Sequence, residues 1–290
     1  MDNNFKVSKR QFFKSAIGLG GLAAAAGTGL LTSLASVKEA HSQILESGID
    51  PDSVLAKIKK EGKLMVGYSQ TVPWFQKEAK TGKLAGIYYD VMELLGKNLE
   101  IKVEYQEVSW ANATIGLRKG DYDVFGSSLF YTIPRALVVN YIHPMWHKGR
   151  LVLTHKAFKD RFKSAEDFNS SDVTFSVNVG SAEENWVKMR FPKAKIITTS
   201  GQIALSAEPV RTKKAQLWAS GDVDCLLMAR KNKDWAVVID PENPIDVNAN
   251  TWAIRYGDPE WKFFLDMWSD KMVASGYVKE RYNYYIDAMS

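Results

Sequence analysis

A single cysteine, Cys225, stands in the 290-residue chain. That excludes an intrachain disulfide, even in an oxidising compartment, and any zinc or iron-sulfur centre built on several thiolates. Histidine is nearly as scarce: His41, His143, His147 and His155 show no metal-ligand spacing, so no metal is expected. No serine lies in a strand-turn-helix nucleophile pattern, and no motif calls for a cofactor. After the first 42 residues no apolar run is long enough to span a bilayer, which predicts a soluble remainder. Nor is the net charge of +5 a sign of a nucleic-acid partner, because most of the excess lies in the first segment.

That first segment, residues 1–42, reads as an export signal. Lys6, Lys9, Arg10 and Lys14 form a basic start, an uncharged Ala- and Gly-rich run follows over 16–35, and small residues at Ser33, Ala35, Ala40 and Ser42 offer a cleavage site. Removal after export and retention as a membrane anchor are both open, the many Gly and Ala favouring removal. The stretch Ser8-Lys9-Arg10-Gln11-Phe12-Phe13-Lys14 resembles a twin-arginine export motif, with Lys9 in place of the first arginine. Without a cysteine here, lipid anchoring is not expected, and the periplasm is the expected destination.

The rest is long enough for two lobes with hydrophobic cores. Hydrophobic spacing predicts a short helix at 53–60, a strand at 63–69, a helix at 90–99, a strand at 101–108, a helix at 111–119 and a strand at 122–127. The rhythm restarts after 150–155, with strands at 173–179, 195–199 and 223–228 and helices at 182–190 and 210–220. A terminal helix follows, with Asp258 as cap, Pro259 at its first position and Gly276 past its end. Alternating strands and helices argue for mainly parallel α/β sheets. The aromatic stretch 282–286 is read as packing.

Several motifs agree in order: Gly62-Lys63-Leu64-Met65-Val66-Gly67-Tyr68-Ser69, Gly82-Lys83-Leu84-Ala85-Gly86-Ile87 with Asp90, Val108-Ser109-Trp110-Ala111-Asn112, and Gly120-Asp121-Tyr122-Asp123-Val124. Next come Tyr131-Thr132-Ile133-Pro134-Arg135-Ala136, Gly180-Ser181, Gly221-Asp222-Val223-Asp224 and Arg255-Tyr256-Gly257-Asp258-Pro259-Glu260. Together they resemble the polar amino-acid-binding proteins of ABC importers, the family 3 extracellular solute-binding proteins. The resemblance implies an α/β, two-lobed periplasmic-binding-protein type II (Venus-flytrap) fold: lobe 1 from 43–149 plus 251–290, lobe 2 from 150–250, with hinge strands at 150–153 and 250–254. It also implies a small carboxylate ligand held between the lobes, delivery to the membrane subunits of an ABC importer, and a monomer that opens and closes.

Carried over residue by residue, the resemblance makes Arg135 the carboxylate anchor, since a guanidinium offers two parallel charge-assisted hydrogen bonds. Gly180, Ser181 and Ala182 open a helix whose free amides face an anion. Trp110 supplies an aromatic wall, with Trp74, Phe130 and Tyr88 as further candidates; Ser128 and Ser69 complete the expected ligand-binding set. Ser181 with Glu184 also reads as a capping box, which competes with a ligand role for Glu184. One departure stands out: Ala229 falls where the family is expected to carry an aspartate for the ligand ammonium. Either another acid, Glu183 or Glu184, substitutes, or the ligand lacks an α-amine. Arg230 offers a second positive group.

Two other functions remain. The same fold resembles the cyclohexadienyl dehydratases, with Glu184 of Asn178-Val179-Gly180-Ser181-Ala182-Glu183-Glu184 as the conceivable general acid. A ligand-sensing role would act through a separate membrane receptor. No catalytic residue is expected on the binding-protein reading.

Overall fold

The computed structural model describes residues 48–78 and 81–289; the export-signal reading of 1–42 lies outside them. Ser53 opens α1 (Val54–Glu61), its hydroxyl accepting from the Leu55 amide, and Gly62 ends it at φ 68°. Then come β1 (Lys63–Tyr68), the small hairpin β2 (Gln76–Lys77) and β3 (Leu84–Ala85), α2 (Ile87–Leu99), β4 (Lys102–Glu107), α3 (Ala113–Lys119) and β5 (Val124–Phe130). The chain continues through α4 (Ile133–Ala136), β6 (Asn140–Tyr141) and β7 (Trp146–His155).

The second half repeats the rhythm with β8 (Thr174–Asn178), α5 (Ala182–Arg190), β9 (Lys195–Thr199), the one-turn α6 (Glu208–Arg211), β10 (Leu217–Gly221), α7 (Asp222–Lys231) and β11 (Ala236–Ile239). It ends with β12 (Asp246–Ile254), α8 (Pro259–Ala274) and α9 (Tyr277–Ala288). Asp258 caps α8 by accepting from the Trp261 amide, with Pro259 in the first turn, as its sequence predicts.

The strands run in the order β4-β1-β5-β12-β7-β10-β8-β9. Both ends are parallel, β1 with β4 and β5, and β8 with β9 and β10. Between them β12 and β7 pair antiparallel, Asp246 opposite Arg150 and Asn250 opposite Trp146, and form the two-stranded bridge between the lobes. The cores divide accordingly. Two clusters of buried residues lie within 55–145 and 252–278, and two others within 151–238. Ile203 packs against one cluster of each kind, and so reaches across the boundary.

In lobe 1 the Gly120-Asp121-Tyr122-Asp123 motif is structural. The Tyr122 ring is sandwiched between Gly67 and Gly116, where an added Cβ would come within 2.5 and 2.4 Å of it, and its hydroxyl donates to the Ala113 carbonyl at 2.6 Å. Asp123 accepts from Lys57 Nζ at 2.9 Å and from the Met65 amide at 3.0 Å, tying α1 to β1 and β5.

The structure corrects the expected elements around 210–228. Helix 210–220 is mostly absent: α6 stops at Arg211, Lys213 turns at φ 61°, and Leu217–Gly221 is a strand buried along its length. The expected strand 223–228 lies inside α7, whose first turn carries Asp222 and Asp224 and whose last turn carries Arg230 and Lys231, the arrangement that complements a helix dipole. An uncharged run flanked by β7 and β8 takes the strand, and the acidic-to-basic run after it takes the helix.

Candidate functional site

The cleft between the lobes is built from the C-terminal ends of strands and the N-terminal ends of helices, where open α/β sheets place their ligands. Its central space, about 20 Å³, is lined from lobe 1 by Thr71, Trp110, Ser128, Phe130 and Arg135, from the bridging β7 by Lys148, and from lobe 2 by Ser181, Ala182, Glu183, Ile203, Ser220 and Asp224.

Arg135 projects from α4, whose start is fixed by Thr132 accepting from the Arg135 amide and by Pro134 in the first turn. The residue is only 8 % exposed. Its Nη2 donates across the cleft to the Gly180 carbonyl at 3.0 Å, and its Nη1 to the Phe130 carbonyl at 3.4 Å. Burial pulls its pKa down, while Tyr141 and Glu183 pull it back up. Among the described residues it forms no ion pair, so a buried guanidinium faces the cleft with only neutral oxygens as acceptors. The Trp110 ring lies 6.0 Å from it and meets Phe125 edge to face, while its buried Nε1 has no partner among the described residues.

Opposite stands the start of α5. Ser181 Oγ accepts from the Glu184 amide at 3.2 Å, and Glu184 Oε2 accepts from the Gly180 amide at 2.7 Å. Glu184 is thus spent on the helix start and on Lys188. Partial burial pushes its carboxyl up, but Lys188 and the Gly180 amide outweigh that and hold it below the usual range. A general acid needs the opposite shift, and Glu184 does not line the central space. Gly180 sits at φ 74° against Ala111, where a Cβ would come within 2.6 Å of the Ala111 Cα; this close approach joins the lobes.

The carboxylates that do enter the cleft are Glu183 and Asp224. Asp224, in the first turn of α7, accepts from Lys148 Nζ at 3.5 Å and from Ser220 Oγ at 3.3 Å. Burial raises its pKa; Lys148 opposes the rise and Glu183 adds to it. Lys148 is 2 % exposed, its ammonium 5.3 Å from the Trp74 ring centre and 5.4 Å from that of Phe130. Glu183 Oε1 lies 4.0 Å from Nε of Arg150, which also pairs with Asp246 and stacks 4.7 Å above Trp186. Of the two acids expected to substitute for an aspartate at Ala229, Glu183 lines the cleft and Glu184 does not. Ala229 lies in α7 against the lobe 2 core, and the same helix also delivers Asp224 to the cleft.

Of the other expected ligand contacts, Ser128, Phe130, Ser181 and Ala182 line the cleft. Ser128 Oγ accepts from Asn250 Nδ2 at 2.7 Å, which links the cleft wall to the bridging strand β12. Ser69 lines a wider side opening next to Trp110, with its hydroxyl engaged by the Val108 carbonyl at 2.6 Å. Trp74 and Tyr88 are corrected to core residues: both are fully buried, they pack on each other at 5.0 Å, and Tyr88 donates to the Asn250 carbonyl. Gly180 touches the cleft through its carbonyl. Sequence reasoning missed Thr71, Lys148, Ile203, Ser220 and Asp224. Lys148 carries no motif, and Asp224 was hidden by the misplaced strand.

Two α/β lobes, a two-strand bridge and a buried charged cleft define a ligand-binding clamp. The chain belongs to the bacterial extracellular solute-binding proteins, family 3, whose model matches residues 64–288. It is similar to the cyclohexadienyl dehydratase of Pseudomonas aeruginosa, 23% identical over 257 residues that cover 89% of this chain and 92% of that one. Among solved structures it is similar to the ancestral amino acid-binding protein AncCDT-1, a precursor of cyclohexadienyl dehydratase, at 29% identity and TM-score 0.73, covering 80% of this chain and 99% of that one. Its fold also matches an amino acid ABC transporter substrate-binding protein from Streptococcus pneumoniae bound to L-arginine, at 21% identity and TM-score 0.72, covering 81% and 98% of the two chains. Among the described residues no helix is long and apolar enough to cross a membrane, and no cluster of three metal-ligating side chains occurs.

Proposed function

We propose that the protein is a periplasmic, monomeric solute-binding protein that closes on one small carboxylate ligand and presents it to the membrane subunits of an ABC importer. The observation that carries this reading is Arg135, a buried guanidinium at the centre of the cleft with carbonyl oxygens but, among the described residues, no carboxylate as partner. A ligand carboxylate supplies the missing negative charge through the bidentate geometry that arginine favours. Trp110 and Phe130 flank the ligand body, and Ser128, Ser181 and Ala182 border its polar atoms. Asp224 and Glu183 supply negative charge for a ligand ammonium, which makes an amino acid an acceptable occupant. The lobes divide near 149/150 and 250/251, and residues 1–42 direct export.

A second reading is kept because one observation favours it: Glu183, 7 % exposed, places a buried carboxyl in the cleft of a chain similar to a dehydratase along most of its length. An enzyme of that kind would consume a cyclohexadienyl carboxylate, which a carrier only holds. The two part in a single experiment in which the protein is incubated with prephenate and followed both by thermal unfolding and by loss of the substrate. A midpoint raised by carboxylates with the prephenate left intact supports the carrier; turnover removes it in favour of the enzyme.

A further inference from the structure

Beside the central space lies a second, larger chamber of about 180 Å³. Thr71, Ile203 and Asp224 line both, so the two share a wall that runs from the charged cleft outward. The chamber is also built by both lobes, Gln70 and Val72 facing Leu227 and Met228 of α7. Its chemistry differs sharply from the first space. Val72, Ile203, Trp218, Leu227 and Met228 give it apolar walls, and among the described residues its only ionisable lining residues are Asp224 and Lys231.

We infer that this chamber receives an extended apolar body of the ligand, so the substrate class is carboxylates with a long uncharged side chain. The inference rests on the carboxylate reading given above. The central space, at about 20 Å³, is crowded by Arg135, Lys148, Glu183 and Asp224 and leaves no room beyond a charged head. A side chain of several carbons has to leave it, and the shared wall at Ile203 and Thr71 leads to apolar surface. A cationic side chain, such as that of the arginine bound by the pneumococcal protein of similar fold, meets the wrong chemistry here. The chamber's one carboxylate, Asp224, already faces Lys148, and Lys231 repels a second cation. Met228, an unbranched and polarisable wall, suits bodies of differing shape.

The test is calorimetric titration of the full chain with two matched pairs, L-alanine against L-norleucine and propanoate against hexanoate, plus L-lysine. Each pair differs by three methylenes, which at about 0.8 kcal/mol apiece make the longer member about 50-fold tighter when they are buried. Leu227→Trp, which fills the chamber from a half-buried position outside the core clusters, is expected to bring that ratio close to one while the short ligand binds as before. If the variant fails to fold, the ratio in the unaltered protein decides alone. Equal binding within a pair, lysine tighter than norleucine, or a ratio that Leu227→Trp leaves untouched overturns the chamber and spares the carboxylate site. Failure of every carboxylate to bind overturns both.

Discussion

Arg135 in one lobe donates to the Gly180 carbonyl in the other at 3.0 Å, and Gly180 in turn packs its Cα face against Ala111. The residue proposed to hold the ligand also ties the lobes together. On that proposal, ligand binding and closure are coupled through one side chain, as a clamp whose closed state completes its contacts requires.

Gly180→Ala separates these roles. The alanine methyl would meet Ala111 backbone at 2.6 Å and would sit at φ 74°, a region costing non-glycine residues about 1 kcal/mol or more. Backbone on both sides leaves nothing to yield but the lobe interface, so closure suffers more than folding. Ligand affinity is expected to fall by about 10-fold or more, with a thermal midpoint lowered by only a few degrees, read by calorimetry and by thermal unfolding.

The Lys148–Asp224 pair is expected to be strongly coupled. Both side chains are almost wholly buried, and removing one partner of such a pair costs about 3–5 kcal/mol because the other charge is left alone. Lys148→Met is expected to lower unfolding stability by about that much, and adding Asp224→Asn to recover part of the loss. Additive single effects in a urea-unfolding double-mutant cycle would disprove the coupling.

Asp224 also gives a pH signature with a fixed sign. Burial raises its folded-state pKa above 3.8, the ordinary value for aspartate. Folding therefore favours its protonated form: its contribution to stability is complete below the unfolded pKa and is lost as pH rises through the raised value. Relative to Asp224→Asn, the unaltered protein is expected to lose stability as pH climbs from below 3.8 towards neutrality, measured as the difference in unfolding free energy at each pH.

Tyr122 supplies a packing prediction in which two effects oppose. Gly116→Ala gains about 1 kcal/mol of helix propensity in α3, but its methyl would lie 2.4 Å from a ring held on its other face by Gly67. Overpacking of a pinned ring costs about 1–3 kcal/mol, so the variant is expected to be destabilised, and a raised urea midpoint would contradict this. Glu184→Ala, by contrast, removes a helix-start contact worth about 1 kcal/mol and is expected to leave ligand affinity unchanged.

Much of lobe 1 was legible because its signals are local. Gly62, Ser53, Asp258 and Pro259 mark element ends through caps and turns, and the Thr132-Ile133-Pro134-Arg135 segment carries its own helix start. In lobe 2 the sequence pattern lies one element out of register at 210–228, because Leu217-Trp218-Ala219-Ser220 and Cys225-Leu226-Leu227-Met228 are both short apolar runs that periodicity alone does not separate. That slip conceals Asp224. Lys148 was illegible for a different reason: its burial depends on β7, Trp74 and Phe130 meeting from distant parts of the chain. Trp74 and Tyr88 show the converse, aromatic residues near cleft motifs that tertiary packing draws into the core.

The central claim is that Arg135 holds a carboxylate, and one titration tests it directly. A carboxylate found to bind the full chain is compared with its own primary amide, and then with Arg135→Ala and Arg135→Lys. Loss of a charge-assisted bidentate contact predicts binding weaker by about 10- to 1,000-fold for the amide and for Arg135→Ala, with partial recovery in Arg135→Lys. Equal affinity for acid and amide in the unaltered protein would contradict the account, whatever the variants do.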